Sequence, residues 1–247
     1  MLLAFQSTSD VLENHRELET RYMGREYKPF FVLNEGKLEL VNFPYKEPPS
    51  PPPRGVVGRV KRFLFMNSRL YPVAGRFIKK RMQGLREWLQ ARGLMKPEPG
   101  NPVAGGIPMA MYLYAVDYPP EWEEAWAVTK AIIAQLHQEV EADGAQLAVV
   151  ILPDRHLVEG DYLAWALRTY PAMRERDWDL DKPNRIMRAF LEEQAIPYLE
   201  MVEEFREYTR QSGRPLYYPR DGHWNREGHH LAGELIYHWL VETDLVP

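Results

Sequence analysis

The run Gln146-Leu147-Ala148-Val149-Val150-Ile151-Leu152 is apolar after its first residue, and Pro153 stops it. Such a segment has no polar face to offer water. As a strand it must be covered on both sides, which is the situation of a central strand in a parallel sheet. Parallel strands need long crossovers, usually helical. A chain built around this strand is expected to be α/β, with helices packed on a parallel sheet in three layers.

The rest of the chain fits that plan. Residues 1–6 are apolar and end in small polar residues, a strand followed by a loop. Ser7, Thr8 and Ser9 then lie at the strand's C-terminal end, where open α/β sheets place their ligands. Residues 30–33 and 37–41 flank Asn34-Glu35-Gly36 and read as a hairpin. Residues 111–115 read as a short strand. Pro119-Pro120 opens a helix over 121–142, with Trp122, Trp126, Ile133 and Leu136 on its apolar side and Asp143-Gly144 at its end. Helices are expected over 161–169, 181–194 and 201–211, and a third parallel strand over 196–199. A last helix, 226–241, would bury Leu231, Leu235, Ile236 and Leu240.

Residues 48–110 read as an insertion within a single domain spanning 1–247. It opens on a polyproline spacer, Pro48-Pro49-Ser50-Pro51-Pro52-Pro53. Between Arg54 and Lys96 there are 12 Lys or Arg and one acid, Glu87, with apolar residues at helical spacing. Two basic amphipathic helices broken near Pro72 are expected. Such a pair is either a solvated basic face, or a lid or membrane-surface contact.

Composition narrows the chemistry. With no Cys there is no thiolate nucleophile and no Cys-ligated metal. A net charge of −4 gives no reason to expect nucleic acid as the partner of the whole chain. No apolar run approaches the roughly 20 residues of a membrane span. Cytoplasmic location is the default expectation, with an export signal or anchor left to residues upstream.

Near the C-terminus stands Tyr217-Tyr218-Pro219-Arg220-Asp221-Gly222-His223-Trp224-Asn225-Arg226-Glu227-Gly228-His229. A carboxylate two residues before an imidazole is the orienter-and-base pair of a hydrolase. Asp221 would hold the ring in one tautomer and His223 would take a proton from a hydroxyl; alternatively Asp221 only forms the turn before Gly222. Asn225 reads as the N-cap of the last helix, and Trp224 as a packing residue. Glu227 and His230 fall within reach on a helix, but no second ligand cluster accompanies them, so neither metal nor cofactor is expected. His156, just past the central strand, is a candidate substrate contact or an ordinary loop residue.

The block from Asp221 to His229 resembles the last conserved block of the SGNH/GDSL hydrolases. Ala4-Phe5-Gln6-Ser7-Thr8-Ser9-Asp10-Val11-Leu12-Glu13-Asn14 is similar to that family's strand-to-loop block, residues 28–38 to a hairpin of one bacterial branch, and 149–153 to its central strand. Asp179-Leu180-Asp181-Lys182-Pro183-Asn184 continues the likeness. The resemblance implies a flavodoxin-like fold and a serine esterase with an Asp-His pair, acting on a small-molecule or carbohydrate ester. Ser9 stands where the family's oxyanion Asn is expected, with Ser7 and Asp10 beside it. Its hydroxyl would donate one hydrogen bond to the oxyanion.

The family's Gly-Asp-Ser segment has no counterpart in this sequence. The serines are Ser7, Ser9, Ser50, Ser68 and Ser212, and none follows His223. The domain is therefore expected to be incomplete at its N-terminus. Two readings follow: an ester hydrolase that needs a nucleophile from elsewhere, and an inactive domain that binds a partner or a membrane surface through 54–96. The strand at 1–6 would then form an exposed sheet edge that invites self-association.

Overall fold

The structure is a computed structural model that describes residues 1–45, 60, 63, 64, 67, 68, 103–218 and 222–245. The basic segment 54–96, apart from those isolated positions, and Asp221 lie outside the described residues.

Strands β1 (Leu2–Phe5), β6 (Ala148–Ile151) and β7 (Tyr198–Glu200) form a parallel sheet in the order β1-β6-β7. Leu2 pairs with Ala148 and Phe5 with Ile151, while Val149 pairs with Tyr198 and Ile151 with Glu200. All four β6 residues are buried. Their alternation divides the core. Val149 and Ile151 join Phe5, Trp122, Trp126, Met187 and Leu191 on one side. Val150 faces the other side with Met201, Phe205, Leu216 and Ala232. The period of 2 in a strand makes this split unavoidable once both faces are covered. The α/β fold with a parallel central sheet is thus as expected.

The covering helices are α1 (Ser7–Asn14), α2 (Pro120–Ala142), α3 (Arg155–Val158), α4 (Asp161–Thr169), α5 (Lys182–Glu193), α6 (Val202–Ser212) and α7 (Arg226–Glu242). Helix α2 starts at the second of two prolines, carries Glu121 and Glu123 in its first turn, and buries Trp122, Trp126, Val128 and Ile133. Carboxylates there complement the positive end of the helix dipole. Strands β2 (Phe30–Asn34) and β3 (Lys37–Val41) make the expected hairpin, with Glu35 and Gly36 both at positive φ. Strands β4 (Val103–Ala104) and β5 (Ile107–Pro108) pair beneath the Gly105-Gly106 turn.

Two expectations are corrected. Ser7, Thr8 and Ser9 form the first turn of α1 and not a loop, because Asp10 reaches back to take the Gln6 N–H at 2.7 Å. Residues 111–115 are not a strand: Met109–Tyr114 is a 3₁₀ helix in which Met111, Leu113 and Tyr114 are fully buried. An all-apolar run lacks the alternation that separates a strand from a buried helical segment.

Candidate functional site at the carboxyl end of the sheet

Two structures meet beyond the C-terminal ends of β1 and β6. The first is a polar node around Asp154, the second residue after the apolar run of the central strand ends at Leu152. Its carboxylate is buried. Oδ1 accepts from Thr8 Oγ1 at 2.7 Å and from Gln6 Nε2 at 3.0 Å, and Oδ2 accepts from the Tyr114 hydroxyl at 3.1 Å. Three donors satisfy a buried acceptor that would otherwise be costly to enclose. Burial, with the Asp154 charge beside it, pushes the Tyr114 hydroxyl well above its ordinary pKa, so Tyr114 stays a donor.

Gln6 links the node to α1. Its Oε1 accepts from Ser9 Oγ at 3.0 Å, while its N–H goes to Asp10 Oδ2. Burial raises the Asp10 carboxyl above its usual range, opposed by the Gln6 N–H and reinforced by the nearby Glu13 and Asp154 charges. Ser7 is enclosed, and its Oγ has no hydrogen-bond partner. His156 packs against the edge of Tyr162, ring centroids 3.9 Å apart, and its Nδ1 is enclosed without a partner. Burial lowers its pKa against the pull of Asp154, so the ring is neutral near pH 7.

The second structure is the loop that carries His223. Tyr217 and Trp224 form an isolated antiparallel bridge, and Tyr218 N–H donates to the His223 carbonyl at 2.8 Å. Trp224, half-buried, packs on Phe205 with ring centroids 5.3 Å apart. Asn225 caps α7 as expected: Oδ1 accepts from Glu227 N and Gly228 N at 2.8 and 3.0 Å, and Nδ2 donates to Pro215 O at 2.6 Å. Gly228 is required by contact. A Cβ there would lie 2.4 Å from the Leu216 carbonyl oxygen. The helix start and the strand-like 216–217 segment can press together only at glycine.

The buried Tyr217 hydroxyl donates to the Pro153 carbonyl at 2.7 Å. This ties the His223 loop to the end of β6, one residue from Asp154. His223 itself is exposed. The structure thus gathers Ser7, Ser9, Asp10 and His156 at one end of the sheet and anchors the His223 loop to that end. His230 pairs with Glu234 at 3.4 Å and not with Glu227, which receives the Tyr208 hydroxyl at 3.0 Å. Among the described residues no group of three or more His, Asp or Glu is arranged to hold a metal.

Sequence reasoning missed Asp154, Gln6, Tyr114 and Tyr217. Asp154 could have been found from its place, since a carboxylate just past the central strand sits where ligands bind.

A family model for an SGNH hydrolase-like domain, acetyltransferase AlgX, matches residues 107–243. The chain belongs to this family. Neither the curated proteins nor the solved structures include a significant match. The match takes in the central strand, the Asp179 segment and the His223 block, and leaves residues 1–106 outside it.

Proposed function

We propose that this chain acts on acyl esters, including carbohydrate O-acetyl groups, with His223 as general base and Asp221 as the acid that orients it. The observation that carries this reading is the anchoring of the His223 loop to the carboxyl end of β6 through Tyr217 and Pro153. The imidazole is exposed, on a loop braced by the Tyr217–Trp224 bridge and the Asn225 cap. Such a base takes the proton of an attacking hydroxyl and returns it to the departing alkoxide, while the carboxylate stabilises the intervening imidazolium. With water attacking, the ester is hydrolysed; with an alcohol, the acyl group is transferred, in keeping with the family's description as an acetyltransferase.

The second reading, a domain that binds without turnover, draws on the serines. Ser7 is enclosed and Ser9 directs its hydroxyl at Gln6. The two readings separate in one assay. Release of acetate from p-nitrophenyl acetate and from an O-acetylated sugar should fall on the order of 10²–10⁴-fold in His223→Ala, the usual worth of a general base. A wild-type rate equal to the buffer background would leave the binding reading in place.

A further inference from the structure

The β2–β3 hairpin has two unequal faces. Residues opposite one another in an antiparallel pair share a face, and successive residues alternate. Phe30, Val32 and Asn34 therefore lie on one face with Val41, Glu39 and Lys37, and Phe31 and Leu33 on the other with Leu40 and Leu38. Phe30 is buried, so the first face is turned to the body of the domain. The second is a quartet of apolar side chains without a charge. None of the four is among the residues packed on either hydrophobic core.

Exposed apolar side chains continue past the strand. Asn42 Nδ2 donates to the Glu26 and Lys28 carbonyls at 2.8 and 3.1 Å, which sets Tyr27 beside the segment that carries Phe43. Leu40, Phe43, Tyr45 and Tyr27 are 46% to 70% exposed. Scattered apolar residues on a surface need no explanation, but a grouped set marks a contact. The hairpin is also firmly held. Lys28 Nζ donates to the Glu13 carbonyl at 2.8 Å and pairs with the buried Glu19 at 3.3 Å.

Charge selects the occupant. Beyond Tyr45 the sequence passes through prolines into 54–96, which holds 12 of the chain's 31 Lys and Arg and one of its 35 Asp and Glu. Two copies meeting through the hairpin would bring two such basic sequences toward each other, whereas an anionic lipid surface attracts them. We propose that the outer face of the β2–β3 hairpin, with Phe43 and Tyr45, seats on the headgroup–acyl boundary of an anionic phospholipid bilayer. Aromatic rings suit that boundary, and apolar burial adds to the electrostatic attraction. The contact is independent of the ester chemistry.

The test is co-sedimentation of the full chain with sucrose-loaded vesicles. Wild type should pellet with equal parts phosphatidylglycerol and phosphatidylcholine, and only weakly with phosphatidylcholine alone. The double variant Leu40→Ser/Phe43→Ser should lower the partition coefficient about tenfold or more. Tyr237→Ser, which removes an exposed ring from α7, should leave it unchanged. No pelleting with the anionic vesicles, or an equal loss in the two variants, overturns the proposal.

A second measurement reads the hairpin itself. The chain has no Cys, so Phe43→Cys carries a single environment-sensitive nitrobenzoxadiazole dye. Its emission should rise and move to the blue with the anionic vesicles. A dye that stays in water while the protein pellets means that the basic sequence binds alone, and overturns the hairpin contact. A blue shift on concentrating the protein without lipid means that a second copy covers this face, and overturns it equally.

Discussion

The Tyr217 hydroxyl donates to the Pro153 carbonyl at 2.7 Å, and both residues are buried. One hydrogen bond therefore joins the loop that presents His223 to the end of the central strand. Tyr217→Phe removes the donor and leaves the carbonyl enclosed and unpaired, which costs about 1–3 kcal/mol. Urea denaturation should register that loss, and the His223 ring resonances should broaden or move, because the loop loses its tie to the sheet.

Gly228 is set by steric contact. Gly228→Ala places a methyl group 2.4 Å from the Leu216 oxygen, a backbone atom with nothing flexible to give way. The start of α7 must shift, at a cost of about 1–3 kcal/mol for overpacking. A Tm unchanged from wild type would show that the helix and the 216–217 segment are not packed as described.

Asn225 serves two ends of the same loop, capping α7 and holding the Pro215 carbonyl. Asn225→Ala should cost about 1–2 kcal/mol, at the upper end for an N-cap because the second bond goes too. Asn225→Asp keeps the cap but loses the donor to Pro215, and should fall between the two in chemical denaturation.

Asp10 gives a pH signature of unusual sign. Its carboxyl is raised above 3.8, chiefly by burial, so between the unfolded and folded values the native state binds more protons than the unfolded state. Stability from this group therefore declines as pH rises from 3.8 through the folded value, the reverse of a salt-bridged aspartate. Asp10→Asn should raise unfolding free energy at pH 7 and lose that advantage at pH 3. Equal effects at both pH values would show that burial does not control this carboxyl.

Strand β1 ends the three-stranded sheet among the described residues, with Met1 and Leu2 57% and 44% exposed. An open apolar edge is a template for a second strand, so we expect concentration-dependent association. Leu2→Lys should weaken it in sedimentation velocity. A wild-type monomer at high concentration would count against the edge.

Much of the fold could be read from residue pattern alone. The apolar run at 146–152, short, rich in β-branched residues and stopped by Pro153, suits a covered strand, the spacing of Trp122, Trp126 and Ile133 marks a helix face, and Asn225 before Arg226-Glu227-Gly228 is a cap in its own right. These are local consequences of period and hydrogen-bonding capacity. The α/β class was legible in the same way.

The tertiary structure decided what lies between distant segments. Gln6, Thr8 and Tyr114 meet Asp154 across separations of up to 148 residues. No periodicity encodes that meeting; it exists because β1 pairs in register with β6 and the 3₁₀ segment packs beside them. The turn of helix at Ser7–Ser9 was hidden for the same reason, since small polar residues suit a loop equally well until Asp10 reaches back to Gln6. The chain's own pattern determined which strand is central and which loop carries the imidazole. Only the assembled sheet decided which side chains surround the buried carboxylate, and so which way the Ser9 hydroxyl points.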